Sequence, residues 1–150
     1  MSLFESLSGS SKKSIYAINQ KNQTCLKISK DSIELVAIGE CTYIVLNPSN
    51  KQIKIGKTTN IDQRLNTLRT ANPDITLLLL LPSKYITEAE LHNKFSTYRN
   101  DREWFFYTKE IQEFVDKQNK IINKSVELSE SYLKYIEIKE ELQRLTNTTL

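Results

Sequence analysis

Glycine and proline are scarce, three of each in 150 residues. That excludes a linker-like or low-complexity chain and suits a folded one. There are only two cysteines, Cys25 and Cys41. They form no metal-ligand spacing, and one disulfide is a poor framework for this length, so both are read as free thiols in a reducing compartment. His92 is the only histidine, which excludes a multi-histidine metal site. Long apolar runs are missing too. The longest is Ile75–Leu81, well short of the roughly 20 residues a bilayer crossing needs. The N-terminus carries serines and lysines but no apolar signal-peptide core. The expectation is a protein of the cytoplasm, of the host cytoplasm if the source is phage or viral, with no membrane partner. No internal repeat is visible.

Positive charge is present where it can be used. Lys51, Lys54, Lys57, Arg64 and Arg69 face Asp62 alone between positions 51 and 69, although the whole chain is only +3. Such a patch suits a polyanion, and it equally suits a solvated face.

The chain divides into four parts. Residues 1–13 are rich in serine and lysine and read as flexible. Residues 14–38 hold three short β-prone stretches, Ser14–Ile18, Cys25–Ile28 and Ile33–Ile38, and read as a strand-bearing extension. Residues 39–117 form the main domain, and residues 118–150 a helical or oligomerisation segment.

Within the main domain Thr42–Leu46 is β-branched and aromatic, Asn47–Asn50 is a turn cluster, and Gln52–Ile55 alternates polar and apolar. A hairpin follows. Ile53 and Ile55 share one face, Gln52 and Lys54 the other, and Gly56 closes the strand. Thr59 or Asn60 caps the next helix, whose buried stripe is Ile61, Leu65 and Leu68. Ala71–Asp74 breaks it. Ile75–Leu81 reads as a deeply buried third strand, and a helix is expected over about 84–98. If that helix starts late, Thr87 and Glu90 form a capping box. Trp104–Tyr107 reads as a short strand or anchor. Residues 109–146 lack glycine and proline and read as one or two long helices. Their interrupted apolar stripe serves packing on the domain, a homodimer, or a larger protein partner.

Four motifs stand in order: Thr42-Tyr43-Ile44-Val45; Lys54-Ile55-Gly56-Lys57-Thr58 with Arg64 eight residues after the glycine; Glu88 with His92; and Glu103-Trp104-Phe105. The second is not a P-loop, since the earlier glycine is missing. The ordered set resembles the GIY-YIG endonuclease superfamily. It looks most like a divergent branch with a Lys-Ile-Gly second motif and a Glu-Trp-Phe third motif. That branch occurs in phage, bacterial and large-virus proteins and in a fungal group named for meiotic up-regulation. The resemblance spans about positions 39 to 117. Tyr43, Gly56, Arg64 and Glu88 match its motif positions. Cys41 stands where the first motif has glycine, and Lys54 where the second has tyrosine.

The resemblance implies an α/β fold: a small three-stranded, largely antiparallel sheet flanked by helices, here with the N-terminal extension and the long helical tail. It implies a nucleic-acid endonuclease, DNA favoured, using one Mg²⁺ or Mn²⁺. Tyr43 is the expected base or water-positioner, given that nearby positive charge lowers its pKa from about 10. Arg64 would stabilise charge on the phosphorus oxygens. Glu88 would bind the metal, and His92 would orient that carboxylate, contact phosphate or shuttle a proton. Lys54, Lys57 and Arg69 would hold nucleic acid. Trp104 and Phe105 read as core anchors, with Glu103 holding a base such as Arg99. The alternative is a catalytically weak or inactive nucleic-acid-binding or assembly module of the same fold.

Overall fold

A computed structural model describes residues 15–19, 24–29, 33–36 and 38–148. The expectation for residues 1–13 lies outside the described residues, as does most of the Asn19–Thr24 turn.

Three short strands, β1 (Ile15–Asn19), β2 (Thr24–Ile28) and β3 (Ile33–Val36), form an antiparallel sheet. The main sheet follows with β4 (Cys41–Asn47), β5 (Gln52–Thr58), β6 (Thr76–Pro82), β7 (Arg99–Asp101) and β8 (Trp104–Phe106). Its order is β6-β4-β5-β8-β7, with every pairing antiparallel. The expected three strands form one side of it, β6-β4-β5, and two short strands extend it beyond β5. The helices are α1 (Ile61–Ala71), α2 (Glu88–Lys94) and α3 (Lys109–Thr148). The α/β class and the long C-terminal helix are as the sequence indicates.

The alternation of β4 and β5 sorts their side chains onto two faces. One carries Tyr43 and Val45 and packs under α1 through Leu65, with Ile61, Leu68 and Trp104 at its margin. The other carries Ile44, Ile53 and Ile55 against Leu91, Phe95, Phe105, Ile111 and Val115. Trp104 and Phe105 are core anchors, one on each face. Asn60 caps α1 by accepting from the Gln63 amide at 3.1 Å, and Asn72 ends it.

Three local readings change. β5 continues through Gly56 to Thr58, because Gly56 pairs with Tyr43 in the ladder. β6 is an edge strand rather than a deeply buried one: Thr76 is exposed, and Leu77, Leu78 and Leu80 are only partly buried. Its apolar run reflects cover on both faces. The helix expected over 84–98 is shorter, since Thr87 caps it at Glu88 and a 3₁₀ turn, Ser96–Tyr98, follows Phe95. Thr87 Oγ1 accepts from the Glu90 amide at 3.1 Å and donates to Glu90 Oε1 at 3.2 Å, the structural role expected for that pair.

Candidate active site

Tyr43 is the centre of the site, and Gly56 decides how it sits. The two residues are ladder partners on the α1 face. A Cβ at position 56 would stand 2.3 Å from the Tyr43 hydroxyl oxygen and 2.4 Å from Cζ. The phenol therefore lies flat across the space a side chain would fill. Tyr43 is 2% exposed, and among the described residues its hydroxyl takes no hydrogen-bond partner.

Charges from three other elements act on that hydroxyl. Burial raises the Tyr43 pKa, the Arg64 guanidinium lowers it, and the Glu103 and Glu88 carboxylates raise it further; the net direction is upward. The chain's own cations do not by themselves supply the acidification that a base role for Tyr43 would need. Burial and two carboxylates outweigh one guanidinium, so the free phenol is protonated at neutral pH.

Arg64 stands on the first turns of α1, one turn before the Leu65–Leu68 stripe ends. Among the described residues its guanidinium has no ion pair. Glu88 opens α2, where the helix N-terminus favours a carboxylate. Its position is set by β4. Buried Thr42 donates from Oγ1 to the Ile86 carbonyl at 2.8 Å and shares a 3.0 Å hydrogen bond with Ser83 Oγ. The Ser83 amide donates to the Glu40 carbonyl at 2.9 Å. The loop leading to Glu88 is thus pinned beside the residue that precedes Tyr43. Sequence reasoning placed Thr42 in the first motif without a role, because its partners Ser83 and Ile86 are more than 40 positions away.

His92 locks the other end of this arrangement. β8 pairs only with Gln52–Lys54, so the β5 edge beyond is open. There the Ile55 amide donates to the Glu103 carbonyl at 3.2 Å, and His92 Nε2 donates to the Ile55 carbonyl at 2.9 Å. Nε2 is also 3.5 Å from Glu88 Oε1. Arg99 Nη2 donates to Nδ1 at 3.0 Å. A carbonyl only accepts and a guanidinium only donates, so these two bonds select the neutral Nε2–H tautomer. Both ring nitrogens are engaged, and the ring meets Phe105 edge-on at 5.2 Å. The ring stands beside Glu88 with its own hydrogen bonds going to Ile55 and Arg99.

Lys54 is tied to Glu103 Oε2 at 3.3 Å and lies 6.0 Å from the Trp104 ring centroid. Glu103 therefore holds Lys54, whereas Arg99 stacks on Phe105 at 5.3 Å. The reason is register: Lys54 is opposite Trp104, which brings position 103 beside it. The turn presenting Glu103 carries Arg102 at φ 54°, a left-handed conformation that costs a non-glycine residue about 1 kcal/mol. Glu103 is the site residue that sequence reasoning undervalued; its place before Trp104 was the available signal.

Two basic residues lie elsewhere. Lys57 falls on the Ile53–Ile55 face, opposite the phenol, by strand alternation. Arg69 donates from Nε to the Ile75 carbonyl at 3.0 Å, closing the loop after α1. No group of three metal-ligating side chains occurs among the described residues. Glu88 is a lone hard oxygen donor, which fits a weakly held Mg²⁺ or Mn²⁺ whose other positions go to water and substrate phosphate.

Residues 40–124, more than half of the chain, match the T5orf172 domain. No curated protein and no solved structure matches.

Proposed function

The chain belongs to the T5orf172 domain family, a phage-linked family of nuclease-like domains, and on that premise we propose that it is a GIY-YIG-type endonuclease that hydrolyses phosphodiester bonds in DNA. The observation that supports this reading is that Tyr43, packed on Gly56, feels the charges of Arg64, Glu103 and Glu88 from three separate parts of the fold.

In this reading Arg64 forks onto the non-bridging oxygens of the scissile phosphate, where negative charge grows as the nucleophile adds. Its freedom from any ion pair among the described residues leaves the guanidinium available. Tyr43, held protonated, gives a hydrogen bond through its hydroxyl to a phosphate oxygen or positions the attacking water, whose proton passes to a phosphate oxygen or to bulk water rather than to the phenol. A Mg²⁺ or Mn²⁺ on Glu88 would supply Lewis-acid stabilisation of the phosphoryl group. His92, fixed by its Nε2–H bond to the Ile55 carbonyl, stands 3.5 Å from Glu88 Oε1 and limits the room in which that carboxylate can move. Lys54, with Glu103 beside it, occupies the position of the missing tyrosine and presents a tethered cation to the backbone.

The test is cleavage of duplex and branched DNA with Mg²⁺ or Mn²⁺. Wild type cuts, and Arg64→Ala and Glu88→Ala lose about 10²–10³-fold. Equal residual activity in all three would mark contamination and reject the reading. The second reading is a binding module without cleavage. The upward pKa of Tyr43 and the Lys54–Glu103 pair favour it. Salt-dependent DNA binding without metal-dependent cutting would select it.

A further inference from the structure

Helix α3 has two apolar sides. Ile111, Val115, Gln118, Ile121 and Ser125 are buried against the sheets. A different stripe begins at Leu128 and continues through Tyr135, Ile138, Leu142 and Leu145. These five are 43%, 59%, 53%, 59% and 52% exposed. They supply most of the large exposed hydrophobics among the described residues, and they fall on one helical line with Ser131. The spacing alternates three and four residues, the a/d pattern of a helix pair.

We propose that this stripe pairs with the same stripe of a second copy of the chain, in antiparallel orientation. Charge beside the seam decides the orientation. Taking Tyr135 as position a, the g positions are Glu127, Lys134 and Glu141, and the e positions include Tyr132 and Lys139. In a parallel pair each g faces the following e of the partner, so Lys134 meets Lys139 twice. In an antiparallel pair g faces g, so Lys134 meets Glu141 twice. The same register puts Leu128 opposite Leu145, Tyr135 opposite Ile138, and Ser131 opposite Leu142. Sliding by one heptad either way sets Glu141 against Glu141, or Lys134 against Lys134. Pattern and charge therefore select one register of one orientation.

Glu141 already pairs with Arg144 on its own helix. That exposed pair is weak and leaves the second carboxylate oxygen for a partner lysine. The seam is short: about 18 residues of helix span about 27 Å. Self-association is therefore modest and concentration-dependent, with dissociation expected at roughly 1–100 µM. The arrangement carries the two domains to opposite ends of the paired helices. It is independent of whether the domain cleaves DNA.

The experiment is sedimentation of the full-length chain across that concentration range. Wild type dimerises. Glu141→Lys, and separately Lys134→Glu, weaken the dimer about tenfold, and the double swap restores it, with helix content by circular dichroism unchanged throughout. Orientation is read by mixing full-length Ser131→Cys and Leu142→Cys chains under mild oxidation, where the mixed disulfide dominates. A monomer at every concentration overturns the proposal. So does a dimer that Lys134→Glu strengthens, or Ser131→Cys homodimers as the main product, because both report parallel pairing.

Discussion

The phenol of Tyr43 lies across the bare Cα of its ladder partner Gly56, so close that a Cβ there would overlap the hydroxyl oxygen at 2.3 Å. The second motif thus needs glycine for the sake of the first motif's tyrosine. One residue leaves the other the space in which its hydroxyl feels the charges of Arg64, Glu103 and Glu88.

Gly56→Ala tests this directly. The methyl group must displace a buried ring, at a cost of about 1–3 kcal/mol. Tyr43→Phe does not relieve the clash, since the ring carbon Cζ would still lie 2.4 Å from the added methyl carbon. Tyr43→Ala with Gly56→Ala recovers part of the stability and none of the activity. Denaturant unfolding of wild type, the two alanine variants and their double gives the coupling; additive losses would show that the two residues do not depend on each other.

Tyr43→Phe keeps the ring and removes the proton. Cleavage is expected to fall about 10²-fold, while DNA binding is unchanged. Because burial, with Glu103 and Glu88, holds the phenol above its ordinary range, the ultraviolet difference spectrum between metal-free wild type and Tyr43→Phe shows no inflection from this group across neutral pH. A Tyr43-dependent inflection near pH 7 would restore the role of free base.

His92→Gln preserves a donor to the Ile55 carbonyl and loses the ring contact with Phe105. His92→Ala loses both, and leaves Arg99 without its Nδ1 acceptor. The glutamine variant is expected to retain more metal affinity, read by Mn²⁺ titration with electron paramagnetic resonance. Loss of cleavage with unaltered Mn²⁺ affinity and stability in both variants would instead give His92 a direct part in the chemistry.

Alkaline pH provides a test of the core. Burial pushes the Cys25 thiol from 9.0 up to about 11, and Tyr85 up to about 12. Both groups are neutral when protonated and are raised in the fold. Their contribution is complete below the unfolded pKa and is lost as pH rises through the folded value. Thermal stability should therefore decline from about pH 9 upward. Native Cys25 should react slowly with a disulfide reagent at about pH 8 and rapidly after unfolding. A melting temperature flat to about pH 11 would contradict the burial.

Lys54→Ala should weaken DNA binding and lower the salt slope by about one, with little loss of stability, since a partly exposed pair contributes about 0–1 kcal/mol. Lys57→Ala, on the opposite face, should matter less. The reverse ranking would place the nucleic acid on the other side of the sheet.

Strand alternation and the helical character of the stretch after position 109 are properties of neighbouring residues, and so the sequence by itself determined them; it left open Thr59 or Asn60 as the cap of α1, the start of α2, and one helix or two in the tail, which the structure resolves as Asn60, Glu88 and one helix, Lys109–Thr148. The sequence determined the ordered motifs as well, and with them Tyr43, Arg64 and Glu88 as candidates. Gly56 was legible only as the end of a strand; that the Tyr43 ring packs on it was not, because that depends on β4–β5 register. The partner of Glu103, the tautomer of His92 and the upward shift of Tyr43 were decided only by the tertiary structure. Each is a through-space property: the Ile55 carbonyl that fixes the His92 tautomer is 37 positions away in the chain. At such separations burial and charge act together, and no local pattern records their sum.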